Sequence, residues 1–115
     1  MLKSTAALAS VLMISVSIIG PALADQRGIA SWYSLPGNRT ACGEKMNPSA
    51  MTAAHRTLPC GTRIKVTNKK NGNTVIVRVN DRGPFIKGRI VDVSKAAGKR
   101  LGLNGVGAVS VSVIR

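Results

Sequence analysis

The stretch VRVNDRGPFIKGRIVDVS, residues 77–94, decides how this chain folds. Two runs in which apolar and polar residues alternate meet at a knot of Asn80, Asp81, Arg82, Gly83 and Pro84. Alternation at period two marks a half-buried strand, and Gly-Pro punctuation breaks the chain between one strand and the next. Val75, Val77 and Val79 share one face of the first run, and one further step of alternation turns Asp81 toward it. An acid at the mouth of an apolar core loses water, which favours the protonated form that a general acid requires. The competing reading is a turn aspartate whose carboxylate accepts backbone N–H groups.

The same alternation extends to either side. Residues 28–34 (GIASWYS), 62–68 (TRIKVTN), 73–81 (NTVIVRVND), 88–94 (GRIVDVS) and 107–115 (GAVSVSVIR) are expected as strands. Asn71-Gly72 inside NKKNGN is a hairpin signal. Helix is expected in two short pieces. Residues 47–55, NPSAMTAAH, open with Asn47 as a cap and Pro48 in the first turn. Residues 94–103, SKAAGKRLGL, open with Ser94 and set Ala97 and Leu101 four apart on one face. Five or six short strands predict an all-β fold with small flanking helices, closed into a barrel that leaves no exposed edge.

Residues 1–24 are expected to be a signal peptide. Lys3 starts it, residues 6–20 form an apolar run, and Ala22 and Ala24 offer the small side chains a signal peptidase needs before Asp25. A membrane-spanning helix needs about 20 apolar residues, and serines, Gly20 and Pro21 interrupt this run. No cysteine stands at the cleavage point, so no stable membrane anchor is expected after cleavage, and the destination is periplasmic or secreted. Residues 25–115 then suffice for one domain with one modest core, expected as a monomer.

The chain carries 17 Lys and Arg against four acids, Asp25, Glu44, Asp81 and Asp92, for a net charge of +13. Such a field draws polyanions. For an exported protein these are cell-wall polymers and membrane surfaces, and nucleic acid is not an expected partner. Cys42 and Cys60, the two cysteines, are expected to pair in an oxidising compartment. With those paired and a single histidine, no metal and no cofactor is expected.

GIASWYS, TACGEKMNPSAMTAAHRTLPCGTRIKVTN, NGNTVIVRVNDRGPF and GRIVDVSKAA together resemble the double-psi β-barrel domain of the rare lipoprotein A family. The likeness runs from about Gly28 to the C-terminus, with the segments in the family's order and spacing. It implies a six-stranded double-psi barrel, shared more distantly with expansins and barwin-like proteins. It also implies a lytic transglycosylase that cleaves the β-1,4 bond between N-acetylmuramic acid and N-acetylglucosamine in peptidoglycan glycan strands, leaving a 1,6-anhydromuramic end. The family's catalytic aspartate falls on Asp81, its site histidine on His55 and a further acid on Glu44. Tyr33, Trp32, Thr40, Asn80 and Arg82 are the expected substrate contacts. Unlike the better-known members, this sequence has no lipid-attachment cysteine and no C-terminal peptidoglycan-binding repeat.

That chemistry suits a chain with four acids. Hydrolases that cut glycosidic bonds need two carboxylates, whereas in a transglycosylase Asp81 alone could serve first as acid and then as base, with His55 orienting it. Strand alternation sends Trp32 and Tyr33 to opposite faces, and Tyr33 is the one assigned to the site. Phe85 is expected in the core, and Asp92 is read as a structural acid beside the second helix. Two other readings stand beside the enzyme: an expansin-like module that grips glycan without cutting it, and a basic exported protein that binds anionic polymers by charge alone.

Overall fold

The computed structural model describes residues 25–115; the expected signal peptide over 1–24 lies outside the described residues. Six strands and one helix follow in the order β1 (Gln26–Tyr33), β2 (Thr52–Ala54), β3 (Arg63–Asn68), β4 (Thr74–Asp81), β5 (Arg89–Ser94), α1 (Lys95–Leu101) and β6 (Val106–Val113). In β3 and β4 the alternation is realised side by side. Ile64, Val66, Val75, Val77 and Val79 are buried, while Arg63, Lys65, Ile76 and Arg78 stand outside. The strands close into one barrel in the order β1-β5-β2-β4-β3-β6. The β1/β5 and β2/β4 pairs are parallel and the other four antiparallel. This is the double-psi barrel, and closure gives every strand a neighbour on each side.

The interior is filled almost wholly by valine, with Ile64, Ala30 and Ala53 completing the packing. β-Branched side chains suit such a barrel because they are stiff and fill the pleated surface. One end is closed by α1. Ser94 caps it, its hydroxyl oxygen accepting from Ala97 N at 3.2 Å. Ala97 and Leu101 are both fully buried, as the four-residue spacing predicted. At the other end of α1, Gly102 adopts φ 73° and Leu103 N reaches back to Gly98 O, a glycine-terminated cap. The Asn68 and Asn71 side chains donate to Leu101 O at 2.8 and 3.1 Å, tying the hairpin to the helix end.

The helix expected over residues 47–55 does not form. Asn47 Oδ1 accepts from Ser49 N, and Ala50 N bonds Asn47 O, so the chain makes one turn and then extends. Thr52, Ala53 and Ala54 are all buried as the short strand β2 between β4 and β5. A strand buried on both faces shows no alternation, which is why the sequence concealed it. Phe85, expected in the core, is instead 77% exposed on the loop between β4 and β5.

Candidate active site

Asp81 does not simply continue the inward face of β4. Ala53 pairs with Val79 but Ala54 pairs with Asp81, so the register skips Asn80. This bulge places both Val79 and Asn80 inside and turns Asp81, half-buried, toward the outer surface. Its two carboxylate oxygens do different work. Oδ1 accepts from Ala41 N at 2.8 Å and from Arg82 N at 2.9 Å. Oδ2 accepts from the Tyr33 hydroxyl at 3.2 Å. Two backbone donors thus fix the orientation of the group, and Oδ2 meets the Tyr33 hydroxyl alone among the described residues. The backbone bonds of the turn-aspartate reading are therefore present on Oδ1.

Tyr33 comes from the end of β1 and is half-buried. Burial first, then the charges of Asp81 and Asp92, push its phenol well above the usual value, so it remains a neutral donor. The influence of both acids on one hydroxyl brings Asp92 into the picture. Ser31 pairs with Asp92 and donates its hydroxyl to Asp92 Oδ1, and Ala54 pairs with both Asp92 and Asp81. The two carboxylates therefore flank Ala54 across three neighbouring strands, two strand spacings or about 10 Å apart at the backbone. Asp92, expected as a structural acid, is held by Ser31 and, lying between the buried Val91 and Val93, faces outward.

His55 is brought next to Asp81 by backbone and not by ring. Its amide donates to Asp81 O at 3.1 Å. Its Nδ1 accepts from Thr57 N and Leu58 N at 3.2 and 3.1 Å, so Nε2 carries the hydrogen and donates to Gln26 Oε1 at 2.9 Å. Only 3% of the residue is exposed. Burial, followed by the charges of Arg56 and Arg82, holds the imidazole below its ordinary value. A neutral ring with both nitrogens committed shapes the turn after β2 and takes no proton from Asp81.

Glu44 also faces away. Its carboxylate grips Arg78 through two bonds of 2.6 and 3.0 Å, and that guanidinium holds it below the usual carboxylate range. The pair is exposed, so its contribution to stability is small.

Of the expected substrate contacts, Tyr33 bonds Asp81, Thr40, Asn80 and Arg82 are engaged within the fold, and Trp32 is partly exposed. Thr40 is buried, with both its amide and its hydroxyl donating to Glu44 O at 2.8 Å, which builds the turn that presents Ala41 N. Asn80 is 1% exposed inside the bulge; its carbonyl accepts from Cys42 N, and its Oδ1 has no partner among the described residues. Arg82 spends Nη1 on His55 O and Leu58 O at 3.0 and 2.7 Å. Trp32, on the opposite face from Tyr33, lies against Gly98 of α1. Cys42 and Cys60 are bonded to one another, closing the segment that contains Glu44 and His55. Among the described residues no cluster of His, Cys, Asp and Glu could hold a metal ion.

Two acids and a tyrosine thus share one outer face of a closed double-psi barrel. The chain belongs to the lytic transglycolase family, which it matches over residues 25–113. It is 54% identical over 92 residues to the probable endolytic peptidoglycan transglycosylase RlpA of Synechocystis, covering 76% of this chain and 29% of that protein. The endolytic peptidoglycan transglycosylase RlpA of Neisseria meningitidis is 52% identical over 90 residues, 76% of this chain and 38% of that one. This chain thus spans well under half the length of either relative. Among solved structures, an expansin of Clavibacter michiganensis superposes with a TM-score of 0.64 at 30% identity, over 79% of this chain and 50% of its own. A mutant of that expansin in complex with cellohexaose gives 0.65 at 27% identity and the same coverage.

Proposed function

We propose that this chain is an extracytoplasmic lytic transglycosylase that cleaves peptidoglycan glycan strands endolytically, exported by the segment before Asp25 and finally periplasmic or secreted. The observation that carries this reading is the division of labour on Asp81. Oδ1 is pinned by two backbone donors, while Oδ2 meets a neutral phenol. Protonated on Oδ2, Asp81 donates to the glycosidic oxygen as the bond to muramic C1 breaks. The resulting carboxylate then takes the proton of the muramic C6 hydroxyl as O6 bonds to C1, which closes the 1,6-anhydro ring and restores the acid. No water enters the balance, so no second carboxylate is needed to activate one. Asp92 supplies negative charge on the same face for the oxocarbenium-like centre that develops between the two events. His55, Arg82 and Thr40 act as positioning residues that hold the turns from which Asp81 receives its bonds.

Digestion of purified sacculi by the full chain and by Asp81→Asn, with products read by mass spectrometry, tests this reading. An asparagine keeps an oxygen acceptor for Ala41 N and Arg82 N and removes only the proton-bearing oxygen. Anhydromuramic products should form with the native chain and vanish in the variant. The likeness to an expansin in complex with a glucan supports a second reading, a module that grips glycan without cutting it. Sacculi that bind both proteins equally and stay undigested would decide for that second reading.

A further inference from the structure

A cavity of about 440 Å³ lies between the chain leaving β1 and the start of α1, lined by Ser34, Pro48, Ser49, Lys95, Ala96 and Lys99. We propose that it binds a carboxylate carried by the muramic residue of the glycan, and so selects which sugar is set against Asp81. The proposal rests on the transglycosylase reading above and adds the substrate group that the site recognises.

Its charge is uncompensated. Lys95 and Lys99 are both exposed, stand four residues apart on one face of α1, and meet no acid among the described residues. Three of the four acids are committed elsewhere: Glu44 holds Arg78, Asp81 accepts from Tyr33, and Asp92 accepts from Ser31, while Asp25 is exposed just before β1. The positive charge belongs to the lysine side chains and not to the helix end, because Ala96 N bonds Pro48 O and Ala97 N bonds Ser94 Oγ. Ser34 and Ser49 add hydroxyl donors at the wall. Two ammonium groups with two hydroxyls form a recognition set for a carboxylate.

Its position ties it to the site. Tyr33 pairs with Ser94, and Ser34 and Lys95 are the next residues on those two chains, one strand step or about 3.3 Å beyond the phenol's own backbone. The segment between β1 and β2 borders both places, since Ala41 binds Asp81 while Ser34, Pro48 and Ser49 line the cavity. Along a peptidoglycan strand the glucosamine units are neutral, and each muramic unit bears a lactyl ether. Stripped of its stem, that group ends in a free carboxylate; unstripped, it is amidated to a peptide that carries carboxylates of its own. Anchoring an anion of every second sugar fixes the register of cleavage, which neutral cellulose or chitin cannot satisfy.

The test measures KM and kcat of the full chain on stem-bearing and on stripped glycan strands, and Kd for neutral chitohexaose. The variants are Lys95→Gln/Lys99→Gln, Lys95→Arg/Lys99→Arg and Asp81→Asn, with thermal melts showing that each is folded. The glutamine pair should raise KM about tenfold on at least one anionic substrate, leave kcat and chitohexaose binding unchanged, and be rescued by the arginine pair. A rise confined to stripped strands identifies the lactyl carboxylate, and one confined to stem-bearing strands identifies the peptide. Unchanged KM on both substrates, or an equal loss of chitohexaose affinity, overturns the proposal while Asp81→Asn remains inactive. Should the native chain leave both substrates uncut, the transglycosylase reading fails by itself, and strand binding by the lysine variants decides the cavity separately.

Discussion

Reducing the Cys42–Cys60 bridge should loosen the fold and the site together. The bonded residues are 18 apart in sequence. In the chain-entropy description, opening a loop of that length returns to the unfolded chain about 3 kcal/mol of freedom at room temperature. For a domain of this size each kcal/mol moves the melting temperature by about 4–8 °C, so a fall of about 12–24 °C is expected. The native fold has about 5–15 kcal/mol to lose, and the reduced protein should remain folded at room temperature. Its activity should nonetheless drop. Ala41 N, the residue before Cys42, holds Asp81 Oδ1, and Cys42 N bonds Asn80 O in the bulge. On the other side of the bridge, Arg82 binds the carbonyls of His55 and Leu58 and approaches Cys60 Sγ. Thermal melts by circular dichroism and anhydromuramic product rates, each with and without a phosphine reductant and for Cys42→Ser/Cys60→Ser, measure both effects. A melting shift below about 3 °C would refute the entropic reasoning, and full activity in a reduced, destabilised protein would refute the coupling to Asp81.

Acid should weaken the fold through His55. Its imidazole is held below the ordinary value, so over that window the unfolded chain binds a proton that the folded chain refuses. Stability is then complete above the unfolded value of about 6.5 and is lost as pH falls through it toward the folded value. Urea midpoints should decline from about pH 7.5 to about pH 5.5, and His55→Gln should flatten that slope. Gly98→Ala should destabilise despite the better helix former: the new Cβ would stand 2.8 Å from Trp32 Cβ and 2.9 Å from Cγ. Such overpacking costs about 1–3 kcal/mol, and because Trp32 is the sole tryptophan, its fluorescence should shift with the lowered melting temperature.

Five of the six strands were legible from alternation, most plainly β3 and β4, which turn one face to a valine core and the other to water. The cap at Ser94 and the helix face of Ala97 and Leu101 were equally plain, being local in cause. The sequence by itself also determined the cysteine pair and the acid at the end of β4. Tertiary structure alone decided which way that acid points. The bulge at Asn80 arises from the pairing of β4 with β2, a strand too short and too deeply buried to announce itself. The same pairing across β5 sets Asp92 level with Asp81, which no spacing along the chain expresses. The hydrogen-bond partners of His55, Arg82, Thr40 and Asn80 were not legible, because a polar side chain in a turn meets whichever carbonyl or amide the fold delivers. Periodicity is a property of a strand and its solvent, and so it is written in sequence; the partners of a hydrogen bond between distant segments exist only once the barrel has closed.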